Sequence, residues 1–143
     1  MDQQFYNFTR NINKIHNAFM GFIDQNICRN FLDLSPNQVL LIKNIGEDAV
    51  IVNSASNIGY YTGTNISYNI RWLVKKNYVT KSKYKHDARK VYLKLTQKGL
   101  NVLSVIDSVF GSHTEVLQSA KIDDKYMKDI NKILCKLQKT FEI

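Results

Sequence analysis

The spacing of apolar residues changes once along this chain, and that change constrains the fold more than any other feature. Phe5, Phe8, Ile12, Ile15, Phe19, Phe22 and Ile23 step by three and four, so the first segment forms a long helix with one heavily aromatic face. The same stepping returns in Leu100, Leu103, Ile106, Val109 and Phe110, and again in Met127, Ile130, Leu134, Leu137 and Phe141. Between them, Tyr78 to Tyr84 and Val91 to Leu95 have the alternation of strands, and Lys85-His86-Asp87-Ala88-Arg89 supplies a polar turn. The expected fold is therefore mainly α with a small β-hairpin.

Shorter elements fill the middle. Ser35 is placed to cap a helix and Pro36 to open it, because proline's missing N–H costs nothing at the first helical position. Val39, Leu40, Leu41, Ile42 and Ile45 make that helix nearly all apolar, hence mostly buried, and Gly46 is its stop. Val50-Ile51-Val52 reads as a brief strand, and Asn53 as the cap of a short helix ending near Ile58. After the turn Gly59-Tyr60-Tyr61-Thr62-Gly63, a helix starts at Thr64 or Asn65 and runs to about Lys76. Ile66, Ile70, Leu73 and Val74 share its inner face, and Asn65, Tyr68, Arg71, Trp72 and Lys75 lie outward. Thr96 caps the long helix that follows, and a break near Lys121 to Asp124 precedes the last one. No repeat or linker divides the chain, so residues 1–143 are expected to be one domain.

The net charge of +8 becomes informative once it is located. Arg71, Lys75, Lys76, Lys81, Lys83, Lys85, Arg89, Lys90, Lys94 and Lys98 stand against one acid, Asp87, in the stretch from Arg71 to Lys98. The rest of the chain is close to neutral. A solvated face usually mixes signs; this one does not, and a polyanion is its natural partner. The outward face of the preceding helix combines amide, phenol, indole and cationic groups, which is the chemistry that reads base edges and phosphates.

Helix, turn, helix and basic hairpin, flanked by long helices, resembles the MarR family of winged helix-turn-helix transcription regulators. Leu34-Ser35-Pro36-Asn37-Gln38 is similar to the family's opening of its second helix. Asn65 to Val79 is similar to the recognition helix and its exit into the wing, and Asp87-Ala88-Arg89 with Leu95-Thr96-Gln97-Lys98-Gly99 resembles the D-x-R wing and following L-T-x-x-G. The run Tyr60 to Asn69 resembles an alphaproteobacterial branch in particular. Asn77 departs from the glycine more usual there, but asparagine tolerates the left-handed backbone that the turn requires.

The resemblance implies a sequence-specific regulator that binds double-stranded DNA as a homodimer on a near-palindromic promoter site. Residues 34–99 would form the DNA-binding lobe, and residues 1–30 and 100–143 the dimerisation helices. Asn65, Tyr68 and Arg71 are assigned to base edges, with Thr64 and Lys75 nearer phosphates. In the wing, Arg89 is the candidate for a minor groove, whose narrow form attracts arginine. Asp87 would brace Arg89 or the hairpin, and Lys83, Lys85, His86 and Lys90 would neutralise phosphates. Trp72 is expected to pack. The family's usual effector is a small aromatic or phenolic molecule; Phe19, Phe22, Tyr60 and Tyr61 could line its cavity or serve equally well as core.

Other classes find less to rest on. No Ser/His/Asp set, paired carboxylates or phosphate-cradling loop argues for an enzyme. His16, His86 and His113 share no ligand spacing with each other or with Cys28 and Cys135, so neither metal nor cofactor is expected. The two cysteines, placed on the dimerisation helices, read as small core residues, with oxidant sensing left open. No apolar run reaches the ~20 residues of a membrane span, and a signal peptide is not evident, so a cytoplasmic location is expected. Two rivals remain: a winged-helix module that binds protein, and a nonspecific architectural nucleic-acid binder. The first would lack the basic wing, and the second would have little use for Asn65 and Tyr68.

Overall fold

The structure, a computed structural model, describes residues 1–31, 33–52 and 59–142. Helix α1 spans Asp2–Asn26 and passes into a single 3-10 turn, Cys28–Asn30. Helix α2 covers Pro36–Ile45, followed by strand β1 (Val50–Ile51), helix α3 (Ile66–Lys75), strand β2 (Val79–Tyr84) and strand β3 (Asp87–Leu95). Helices α4 (Gln97–Ser119) and α5 (Asp124–Phe141) complete the chain. The short helix expected from Asn53 to Ile58 lies outside the described residues.

Two compact units divide these elements, residues 1–107 and 108–143. The first unit closes around α2. Val39, Leu40, Leu41, Ile42 and Ile45 are buried, as their near-continuous apolar run requires. Ile23 and Ile27 from the end of α1, Ile70 and Leu73 from α3, and Val102, Leu103 and Ile106 from α4 are buried with them. Tyr78, Val79, Leu93 and Leu95 supply the sheet's share of the core. In the sheet β3 is central, antiparallel to β1 on one side and β2 on the other.

Helix boundaries follow local chemistry. Ser35 Oγ accepts from the Gln38 backbone N–H while the Gln38 side chain accepts from the Ser35 N–H, a reciprocal capping box that satisfies two otherwise orphaned donors. Helix α3 ends with Asn77 at φ 66°. The Asn77 N–H donates to Val74 O and the Tyr78 N–H to Leu73 O, so the left-handed residue expected at this position closes a Schellman turn. Tyr78 belongs to that turn, and β2 begins one residue later than the alternation indicated. Lys121, at φ 61°, closes α4 in the same way. Asp123 then caps α5 by accepting from the Tyr126 N–H at 2.8 Å.

The aromatic face of α1 is covered mainly at its far end, with Phe8 half-buried near its start. Ile23 is buried and Phe19 and Phe22 are half-buried, while Phe5, Ile12 and Ile15 are exposed. In the second unit α5 has no buried residue at all. Ile133, Leu134 and Phe141 are each about half exposed. The cysteines differ from expectation. Cys28 is buried but sits in the 3-10 turn after α1, and Cys135, on α5, is exposed because that face of α5 has no cover.

Candidate nucleic-acid interface

Helix α3 is held from beneath by polar contacts that its apolar pattern does not reveal. Asn69, on the inner side of the helix, is buried and accepts from Gln38 Nε2 at 3.2 Å. Gln38 thus uses its oxygen to cap α2 and its nitrogen to fix α3. A buried amide pair of this kind sets the helix register as well as its position, because sliding would leave both groups unsatisfied. At the far end of α3, Lys98 Nζ donates to Lys76 O at 2.9 Å and lies over the Tyr78 ring at 4.2 Å. Trp72 stacks on Tyr78 with ring centroids 6.5 Å apart, the packing role expected of it. Tyr78 Oη in turn donates to Asp33 Oδ1 at 2.7 Å. Burial, followed by the Asp33 carboxylate, pushes the Tyr78 phenol far above its ordinary range. That phenol stays a hydrogen-bond donor.

With its inner side fixed, α3 presents the opposite face to solvent. Asn65 is the N-cap residue but makes no side-chain cap bond, and it is exposed. Thr64, Tyr68, Arg71 and Lys75 are exposed as well. Their spacing of three to four residues sets Asn65 or Thr64, Tyr68, Arg71 and Lys75 along one face. No acid occupies the helix's first turn, so nothing opposes an approaching phosphate at its positive end.

The wing departs from the expected hairpin. β2 and β3 pair from Val79 opposite Leu95 through Lys83 opposite Val91, and then Tyr84 pairs with Asp87. The turn is therefore the two residues Lys85-His86, not the five of Lys85 to Arg89, and β3 starts at Asp87. Ala88, Arg89 and Lys90 lie between the Lys83–Val91 and Tyr84–Asp87 pairings as a bulge in β3. Bulges re-aim side chains, and here the bulge carries the two cations Arg89 and Lys90, both exposed. Asp87 Oδ1 accepts from the Arg89 backbone N–H at 3.0 Å and from Arg89 Nε at 3.2 Å. The Arg89 side chain is nonetheless 92% exposed. Lys83, Lys85 and His86 are exposed around the same tip. All ten residues assigned to DNA thus lie on the surface of one compact unit, on α3, its entry and the wing.

Two of the ten clustered cations have other duties. Lys98 is spent on the C-terminal end of α3, and Lys76 lies 5.7 Å from the centroid of the Trp72 ring. The residues missed by sequence reasoning are the supporting amides Gln38 and Asn69. A signal for the first was present, since Ser35-Pro36-Asn37-Gln38 has the S-x-x-Q form of a capping box. Elsewhere, burial raises the Cys28 thiol to about 11, with Asp24 adding to the shift, so its reactive thiolate is disfavoured. Phe19 and Tyr60, two of the cavity candidates, stack on each other with centroids 6.1 Å apart. Among the described residues, no three His, Cys, Asp or Glu side chains gather to hold a metal. No helix among them is long and apolar enough to cross a membrane.

Residues 34–99 match the winged helix DNA-binding domain family, and the fold is similar to that of solved MarR-type regulators. MepR from S. aureus, solved in a DNA-binding conformation, has a TM-score of 0.79 and 16% sequence identity, covering 94% of this chain and 98% of that one. A mutant MarR from E. coli, solved in complex with operator DNA, has a TM-score of 0.73 and 14% identity, covering 94% and 95%. In sequence, the chain is similar to the exopolysaccharide II synthesis transcriptional activator ExpG of Rhizobium meliloti, with 24% identity over 106 residues, 74% of this chain. The chain spans about half the length of that relative, since the match covers 55% of it.

Proposed function

We propose that this protein is a transcription regulator that binds duplex DNA sequence-specifically as a homodimer, on a near-palindromic promoter site. One observation carries the reading. A helix fixed by a buried Gln38–Asn69 pair presents Asn65, Tyr68, Arg71 and Lys75 to solvent, beside a wing whose bulge exposes Arg89 and Lys90. Amide, phenol and guanidinium groups on a rigid helix suit the major groove, and Arg89 on the wing suits a minor groove. Thr64, Lys75, Lys83, Lys85, His86 and Lys90 would serve phosphates, and Asp87 would hold Arg89 in its extended aim. The solved DNA complex with the same fold supports this docking.

The second copy is argued from the terminal helices. Exposed Phe5, Ile12 and Ile15 on α1, and Ile133, Leu134 and Phe141 on α5, are apolar surface that a partner would cover. Two-fold symmetry would then set two recognition helices about one duplex turn, ~34 Å, apart. The resemblance also leaves room for a small aromatic or phenolic effector; Phe19 and Tyr60, stacked on each other, could line its cavity or serve equally well as core.

Fluorescence anisotropy against the DNA upstream of the protein's own gene, and against a scrambled duplex, tests the reading across a salt series. We expect a gap of roughly a thousandfold between the two. Replacing Asn65 and Tyr68 by alanine should collapse that gap while leaving scrambled-duplex binding nearly unchanged. Failure to bind either duplex at low salt would overturn the proposal in favour of a protein-binding module.

A further inference from the structure

The loop that enters the recognition helix is fixed on both sides of a single outward tyrosine. Asn44, near the end of α2, grips the backbone of Tyr60 twice: the Tyr60 N–H donates to Asn44 Oδ1 at 2.7 Å, and Asn44 Nδ2 donates to Tyr60 O at 2.8 Å. That grip accounts for Gly59, where a β-carbon would lie 1.9 Å from Asn44 Oδ1. On the other side, Thr62 is 1% exposed. Gly63 follows in the left-handed region at φ 88°. The Tyr60 ring stacks on Phe19 and is 36% exposed. Between these anchors Tyr61 is 69% exposed. A large aromatic side chain held out from a fixed backbone, with neither neighbour free to cover it, is not explained by packing.

We propose that Tyr61 is a further DNA contact, its hydroxyl donating to a backbone phosphate beside the groove that α3 enters, and that Asn44 is the positioning residue that aims it. The inference rests on the DNA-binding reading above. Recognition helices of this class insert their N-terminal residues into the major groove. A side chain four residues before the N-cap Asn65 therefore meets the groove's wall, not its floor. The wall is phosphate and sugar, and tyrosine hydroxyls are among the donors that proteins use there. Because Asn44 already holds the adjacent Tyr60 backbone at both its N–H and its carbonyl, little freedom is lost when the contact forms. A neutral donor releases no counterion, so the contact adds affinity without adding salt dependence. It is also indifferent to sequence, which separates it from Asn65 and Tyr68.

The test is Tyr61→Phe, which removes only the hydroxyl, measured by anisotropy on operator and scrambled duplexes over a salt series. Expected is a loss of about tenfold on both duplexes, as for one hydrogen bond to a charged group, with an unchanged salt slope and an unchanged melting temperature. Asn44→Ala should weaken binding, and should do so far less when Tyr61 is already phenylalanine. Unaltered affinity in Tyr61→Phe, while the wild type still separates operator from scrambled DNA, would overturn this contact and leave the DNA reading intact. A loss accompanied by a shallower salt slope would also overturn it, because a displaced cation would then be responsible. Strictly additive losses in the double variant would remove Asn44 from its positioning role. A wild type that binds neither duplex would instead bring down the reading on which the contact rests.

Discussion

Gly99 has no room for a β-carbon: one placed there would stand 2.3 Å from Tyr78 O and 3.1 Å from the Leu95 side chain. The carbonyl it would strike is committed, accepting from the Thr96 N–H at 3.0 Å. Thr96 Oγ1 caps α4 by accepting from the Gly99 N–H at 3.1 Å, and its own hydroxyl proton is directed at Asn77 O, 2.6 Å away. The L-T-x-x-G run therefore joins three elements, with the threonine tying the end of α3 to the start of α4 and the glycine permitting the approach. Gly111, in the same helix, has nothing within 4 Å of a β-carbon. Opposite outcomes follow. Gly99→Ala should destabilise the fold by about 2–3 kcal/mol, the usual cost of forcing atoms into packed space. Gly111→Ala should stabilise it by up to ~1 kcal/mol through helix propensity. Urea unfolding of the two variants checks both, and a Gly99→Ala protein as stable as the wild type would contradict the close approach.

At the scale of elements, the wing shows how far the sequence could be read. The end of β3 was legible because alternation survives where one face is buried: Leu93 and Leu95 are buried with exposed Lys94 between them, whereas β2 is exposed from Thr80 to Lys83. The bulge was not legible. Ala88-Arg89-Lys90 has the polar composition of a turn, and whether such residues lie in a turn or bulge out of a strand depends on the cross-strand register. The same limit hid the Asn69–Gln38 pair, since a polar residue on a helix's inner side looks like an error in the pattern until its partner, 31 residues away, is seen. Capped ends, which depend only on neighbours in sequence, were recoverable at Ser35, Asn77 and Thr96. The bulge leads to a prediction that charge counting alone would get backwards. Asp87→Ala raises the wing's positive charge, yet it frees Arg89 from both of its bonds to Oδ1. DNA affinity should therefore fall several-fold, whereas Asp87→Asn, which keeps an acceptor at the same place, should retain it. Arg89→Ala should weaken binding to every duplex; a salt slope lower by about one unit would mark Arg89 as a phosphate contact, and an unchanged slope would count against that role. Tighter binding by Asp87→Ala would show that repulsion outweighs bracing in the wing.

For the whole molecule, the deciding fact is where apolar surface remains. The first unit is closed around α2, and its exposed large aromatics near α3, Tyr60, Tyr61 and Tyr68, carry polar ends. The terminal helices are different. α5 buries nothing, and Ile133, Leu134 and Phe141 stay exposed along it, as do Phe5, Ile12 and Ile15 along α1. An amphipathic helix of this kind has little reason to persist in water without a partner, because most helical stability in proteins comes from packing its apolar face. Its charged residues do not supply that stability, since the Lys128–Asp124 pair on α5 is exposed and screened. A second copy offers the same apolar residues in return and requires no further component. Sedimentation at micromolar concentration should accordingly give twice the chain mass of 16.6 kDa. Introducing charge with Ile133→Glu and Leu134→Glu, which cannot create a cavity in a face that is already exposed, should shift the protein toward monomer. The winged unit would keep its own core, so loss of DNA affinity in that variant should appear as the loss of one half-site, with operator binding falling toward that of a single half-site duplex. A dimer that survives both glutamates would place the two-fold contact on a different surface, and operator binding would then survive with it.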